Sequence, residues 1–186
     1  QDNGYLSSTG HCFDIGNTVR AALSIFKKTG EEFCGSTDPQ SAGNGCIMRL
    51  APIAIFYHPD LDATEHWSKE SSRTTHGALE CIEACHLLAR MTWAAMAGMQ
   101  KEEFLYETYH DQFKSPKVRA IMAGEYRSKS IDQIRGSGYV IDCLEAAAWC
   151  FWRTRRWRPY GTARGMASRL RDLCGSRRSR ASTPPQ

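Results

Sequence analysis

The sequence has no long apolar run. A bilayer-spanning helix needs ~20 consecutive apolar residues, and the best stretch, residues 87–99, is shorter and interrupted by Arg90. Strand-type alternation is missing too: no run of four or more residues shows a convincing period of two. There is no internal repeat and no proline-rich linker before residue 154. The start, Gln1-Asp2-Asn3-Gly4, carries neither an initiating Met nor a secretory signal, so the expectation is a processed chain or a fragment. These absences exclude a membrane protein, a β-rich fold and a repeat array. What remains, 186 residues at 41% apolar and 24% charged, is enough for one real core.

Charge is divided unevenly. Residues 155–186 hold nine Arg, no Lys and one acid, Asp172, for +8; the total of +4 leaves −4 for residues 1–154. An arm that binds nucleic acid mixes Lys with Arg on a broadly basic body, and this body is acidic, so nucleic acid is not expected as a partner. The all-Arg tail reads as a disordered segment or as the product of an out-of-frame GC-rich sequence. Two regions are expected: a helical domain over residues 1–154 and a tail over 155–186. Eight Cys are present, most of them among apolar helical residues. They read as buried reduced thiols rather than a disulfide framework, which places the chain in the cytoplasm.

The periodic segments are helical. Asn17 can cap a helix ending at Gly30, with Val19, Ala22, Leu23 and Phe26 on one face. Residues 47–57 read as one buried helix in which Pro52 is tolerable only early. Residues 61–72 read as a more polar helix, and the longest pattern runs from Gly77 to Gly98. Further helices are expected over residues 101–113, 118–124, 128–134 and 139–151. The fold class is all-α. Glu80 and Glu83 read as the solvated face of the long helix, and Asp142 and Glu145 as a surface pair. Cys81, Cys85 and His86 do not make a zinc site, because His86 points about 100° away and no fourth ligand is evident. Trp149, Trp152 and Trp157 read as core.

The most informative stretch is Ser41-Ala42-Gly43-Asn44-Gly45-Cys46-Ile47-Met48-Arg49-Leu50-Ala51-Pro52. Two glycines around an Asn permit a tight turn with exposed amides, and a helix start behind it can receive a phosphate or a ribose hydroxyl. On spacing alone, an ordinary turn before a buried helix is the plainer reading. Three other segments accompany it: Phe13-Asp14-Ile15-Gly16-Asn17-Thr18, Ser71-Ser72-Arg73-Thr74-Thr75-His76-Gly77, and Gly136-Ser137-Gly138-Tyr139-Val140. In this order and spacing, over roughly residues 4–154, the chain resembles the ADP-ribosylglycohydrolase family, of the dinitrogenase reductase-activating type.

That resemblance implies a multi-helix orthogonal bundle and a hydrolase that cleaves the bond between ADP-ribose and a protein side chain or other acceptor. ADP-ribose or an ADP-ribosylated protein is the implied partner. Family members hold two divalent cations, Mg²⁺ or Mn²⁺, between a Thr-Asp-Asp near one end and an Asp-x-Asp-Thr near the other. Neither motif occurs here. Asp60-x-Asp62 ends in Ala63, and Asp38 stands beside Pro39. The expectation is therefore a central part of the fold without both metal-ligand ends, binding no cation of its own and inactive, or else a non-enzymatic remnant with residual ADP-ribose affinity. The resemblance carries over Gly43, Asn44 and Gly45 as the loop on the ADP-ribose phosphates. Cys46 stands where a Ser or another small residue is common. His76 lies near the ligand, where it can contact a phosphate or ribose oxygen or cap its own helix.

Overall fold

The computed structural model describes residues 7–103 and 112–154. The expectations for residues 104–111 and for the tail at 155–186, Trp157 included, lie outside them. Seven α-helices are present among the described residues, with no strand: α1 (Asn17–Thr29), α2 (Gly45–Met48), α3 (Ala51–Tyr57), α4 (Leu61–Arg73), α5 (Leu79–Met96), α6 (Pro116–Met122) and α7 (Val140–Arg153).

The long α5 is the central post, touching α2, α3, α4, α6 and α7. Its inward positions are small: Cys81, Ala84, Cys85 and Ala89 are all fully buried. Small side chains let a neighbouring helix approach closely. α4 takes that place with equally small but polar residues, Thr64, Ser68 and Ser72, none more than 1% exposed. Each hydroxyl is satisfied locally: Thr64 Oγ1 donates to Asp60 O (2.6 Å), Ser68 Oγ to Glu65 O (2.8 Å) and Ser72 Oγ to His76 O (2.8 Å). A helix that reads as polar can thus be buried along one side without orphaned donors. On the opposite side, Val118 and Ile121 of α6, Val140 and Leu144 of α7, and Phe113 complete the core.

Several expectations are corrected. The single helix over residues 47–57 is two, α2 and α3, divided at Arg49 and Leu50. Pro52 has no N–H to give the carbonyl a turn before it. It is accommodated near the N-terminus of α3, where no such bond is needed. Residues 128–134 form 3-10 turns, Glu125–Ser128 and Ile131–Gln133, rather than a helix. The N-cap of α1 is Gly16 rather than Asn17. Glu83 is no surface residue: it is 6% exposed, and its carboxylate accepts the Lys114 and Ser115 amides at 2.8 and 2.9 Å. Asp142 accepts from Ser137 Oγ, and Glu145 pairs with Lys129. Of the cysteines, Cys12 and Cys150 are exposed, while Cys34, Cys46, Cys81 and Cys85 are buried.

Candidate functional site

Four segments distant in sequence meet at one end of α5. Ser36 bridges His76 in parallel fashion and Gly43 bridges Tyr139 in antiparallel fashion. The bonds are Gly35 N–H to Arg73 O (3.0 Å), Gly77 N–H to Ser36 O (3.0 Å), Asn44 N–H to Gly138 O (2.8 Å) and Val140 N–H to Ala42 O (3.0 Å). Residues 34–36 are thereby tied to 72–77 and residues 42–46 to 137–140, and the His76 ring against Gly43 and Gly45 joins the two pairs into one knot.

The knot is dense enough that glycine is required in places. A Cβ on Gly35 would lie 2.5 Å from His76 N and 2.7 Å from Arg73 O, and one on Gly77 would lie 2.4 Å from Gly35 O. Both contacts are with backbone, which cannot swing aside. Sequence reading passed over this pair. The signal was present only as a Gly directly after the Thr-Thr-His motif, and its meaning depends on a neighbour 42 positions away (77 − 35).

The sequence-predicted residues come together here. The imidazole of His76 lies under the loop: a Cβ on Gly45 would stand 3.0 Å from its Cε1, and one on Gly43 3.5 Å from its Nε2. The ring is 2% exposed, with Nδ1 2.7 Å from Thr75 Oγ1. It caps nothing, since the N-cap of α5 is Ala78. His76 is therefore a floor beneath the two glycines. Burial lowers its pKa below the ordinary 6.5, the Cys46 thiolate opposes that shift, and Arg49 reinforces it. The ring is neutral at pH 7.

Two loop amides are spent internally, Gly43 N–H on Ser41 O (2.7 Å) and Asn44 N–H on Gly138 O (2.8 Å). The loop is thus held in shape by the amides that the sequence offers to a phosphate, and the Asn44 side chain makes no capping bond to α2. Behind the loop, Cys46 Sγ and Cys81 Sγ both point at Gly43 O, at 3.7 and 3.5 Å. Side-chain hydrogen bonds from Cys81 and then Cys85 hold the Cys46 thiol down against its burial, while the Cys81 and Cys85 thiols are pushed up. At the rim, Tyr139 O–H donates to Glu80 and accepts from Lys117 Nζ at 2.7 Å.

Arg49 ties the turn after α2 to the end of α4, donating to Ser71 O (2.7 Å) and Thr74 Oγ1 (3.0 Å). His86 faces away from the cysteines, 3.1 Å from Glu65 and against the Phe113 ring. A larger cleft of about 650 Å³ opens beside it, among Phe26 of α1, Phe33, Tyr57 of α3 and Trp67 of α4, and reaches Arg49 and Thr75. Its exposed wall is mostly aromatic and aliphatic, with Arg49, Glu70 and Thr74 at the side nearer the glycine loop; the residues named from the sequence converge at the loop, and the candidate site stays there.

The fold is a helical one built round a glycine-bounded loop, and comparison gives the family. A family-wide sequence model described as ADP-ribosylglycohydrolase matches residues 1–170. The chain belongs to the ADP-ribosylglycohydrolase family. The match runs past residue 154, where composition alone drew the boundary. Over 152 residues the chain is 45% identical to an ADP-ribosylarginine hydrolase Tri1 of Pseudomonas putida (strain GB-1), covering 82% of this chain and 40% of that protein. It is 42% identical to an ADP-ribosylarginine hydrolase Tri1 of Serratia proteamaculans (strain 568), covering 82% of this chain and 41% of that one. A solved ADP-ribosylglycohydrolase-related protein complex matches with a TM-score of 0.65 and 35% identity, over 75% of this chain and 48% of that chain. The chain spans about two-fifths of the length of these curated relatives.

Proposed function

We propose that this chain holds the ADP-ribose portion of an ADP-ribosylated arginine on the loop Gly43, Asn44, Gly45 and Cys46, as the ADP-ribose-binding part of an ADP-ribosylarginine hydrolase. The observation that supports it most is the knot itself. Four chain segments and a buried imidazole fix the loop before any ligand arrives, and a preorganised loop loses little entropy on binding. The start of α2 and the Asn44 side chain are the groups left for phosphate or ribose oxygens. His76 acts through the glycines above it, as a positioning residue.

The family chemistry calls for two divalent cations held by carboxylates. The described residues do not fit them: no group of three or more His, Cys, Asp or Glu side chains among these residues is arranged to hold a metal ion. The acids nearest the loop are committed, Glu80 to Tyr139 and Lys117, Glu83 to two amides and Asp142 to Ser137. Our reading is that the 186-residue chain binds ADP-ribose without hydrolysing its arginine linkage. The seven free cysteines among the described residues accord with a cytoplasmic location. No described helix is long and apolar enough to cross a membrane.

Titration calorimetry with ADP-ribose on the wild type, Asn44→Ala and His76→Ala tests the site. Reduced heats for both variants are expected, and equal heats for all three would remove the assignment. Release of ADP-ribose from an ADP-ribosylarginine protein, assayed with and without Mg²⁺, is expected to stay at background. Chelator-sensitive release would overturn the inactivity.

A further inference from the structure

The cysteines behind the loop have no part in that reading. Cys46 and Cys81 converge on a single acceptor, with both Sγ atoms within 3.7 Å of Gly43 O, and Cys46 Sγ also lies 3.9 Å from Cys81 O. One comes from α2 at the end of the loop, the other from the first turn of α5, so a bond between them would fasten the loop to the central helix. Cys85 lies one turn further along α5 and adds a third thiol to the cluster.

We propose that Cys46 and Cys81 form a peroxide-sensitive disulfide that locks and deforms the glycine loop. Cys46 is the attacking member, because the Cys81 and Cys85 thiols beside it favour its charged form while their own are disfavoured. Its thiolate attacks one oxygen of a peroxide, the O–O bond breaks and hydroxide leaves with the electron pair, giving a sulfenic acid. The Cys81 sulfur then gives up its proton and attacks the Cys46 sulfur. The S–O bond breaks and the oxygen departs as water. Two thiols are oxidised by two electrons and one hydrogen peroxide is reduced to two waters.

Both sulfurs are buried, at 1% and 0% exposure. A peroxide reaches them only when the single-turn α2 lifts, so the reaction is slower than at the exposed Cys12 and Cys150. Once formed, the disulfide withdraws the Cys81 thiol proton from Gly43 O. That carbonyl belongs to the loop assigned above to ADP-ribose, and this consequence, unlike the disulfide, rests on that assignment.

The test uses the full chain at low concentration, treated with excess hydrogen peroxide, blocked with an alkylating reagent and mapped by peptide mass spectrometry. The expected product is a Cys46–Cys81 cross-link, reversed by dithiothreitol, lost in Cys81→Ser and kept in Cys85→Ser. Recovery of Cys46 and Cys81 as separate alkylated peptides while Cys12 and Cys150 are oxidised would overturn the proposal, as would a Cys46–Cys85 link. Mapping needs no variant, so it stands even if Cys81→Ser fails to fold. In a second arm, the oxidised chain is expected to bind ADP-ribose roughly fivefold more weakly than the reduced chain. A cross-link with no ADP-ribose binding in either form would refute the site assignment and leave the disulfide standing. A cross-link with unchanged binding would remove its effect on the loop.

Discussion

Two adjoining regions of this molecule are built on opposite terms. At the glycine knot, backbone meets backbone, and at Gly35 and Gly77 a missing Cβ decides whether two segments can touch. At the cleft among α1, α3 and α4, the surface is made of large rings left partly open: Phe26 is 52% exposed, Phe33 42% and Trp67 45%. Tyr57 stacks on Trp67 with centroids 5.9 Å apart, and Arg73 lies 4.1 Å over the Phe33 ring. Close packing makes the knot intolerant of added volume. In the cleft, the same substitution meets solvent. The candidate site thus sits where geometry is most tightly fixed, next to the larger cavity rather than within it.

A graded glycine series would break this comparison most sharply. Gly35→Ala and Gly77→Ala each force a Cβ within 2.7 Å of backbone atoms, and each is expected to cost about 3 kcal/mol or more, or to prevent folding. Gly45→Ala meets the His76 ring at 3.0 and 3.2 Å; the ring must give by a few tenths of an ångström, and a cost of about 1 kcal/mol is expected. Gly136→Ala and Gly138→Ala meet nothing within 4 Å and should leave stability within about 0.5 kcal/mol of the wild type. Urea unfolding of the five variants checks the order. A Gly77→Ala protein as stable as Gly136→Ala would show that the knot is loose.

Glu83→Ala is expected to come next. The change strands two buried amides, Lys114 N–H and Ser115 N–H, that the carboxylate now accepts. Charge-assisted bonds of this kind are worth roughly 1.5–3 kcal/mol each in place, and a buried donor left unpaired costs a further desolvation penalty. A fall of about 3 kcal/mol in unfolding free energy is expected, with Glu83→Gln recovering part of it. Glu80→Ala, at a residue that is more exposed and pairs with Tyr139 and Lys117 at the rim, should cost less than 1 kcal/mol or so.

Glu83 also shows where sequence reading stops. The helical class, the long α5 and the grouping of residues 43–46 with His76 were legible, because period and motif order are local or nearly so. That Glu83 turns inward was not, since the register that reads as a solvated face is overruled by a connection, residues 112–115, that happens to end above it. The break between α2 and α3 was half legible: Pro52 announced a disturbance but not the two residues that absorb it. The inward role of His76 was illegible for a similar reason. A His before a helix reads as a ligand or a cap, and only the close pass of Gly43 and Gly45 over its ring makes it a floor.

The smallest expected effect is electrostatic, and it sharpens the contrast by pH. His76 is buried neutral, with its pKa below 6.5 from burial first, Cys46 opposing and Arg49 reinforcing. As pH falls through 6.5, the unfolded chain takes a proton that the folded chain refuses, so the unfolded state binds more protons and stability falls with pH. The loss continues until pH passes below the folded pKa, where both states are protonated and the slope contributed by His76 ends. Unfolding free energies measured at pH 7.5, 6.5 and 5.5 should decline in the wild type and decline less in His76→Asn. If His76→Asn kept the full decline, the pH response would belong to other groups, and the neutral imidazole would have to be dropped from the account of how the loop is held.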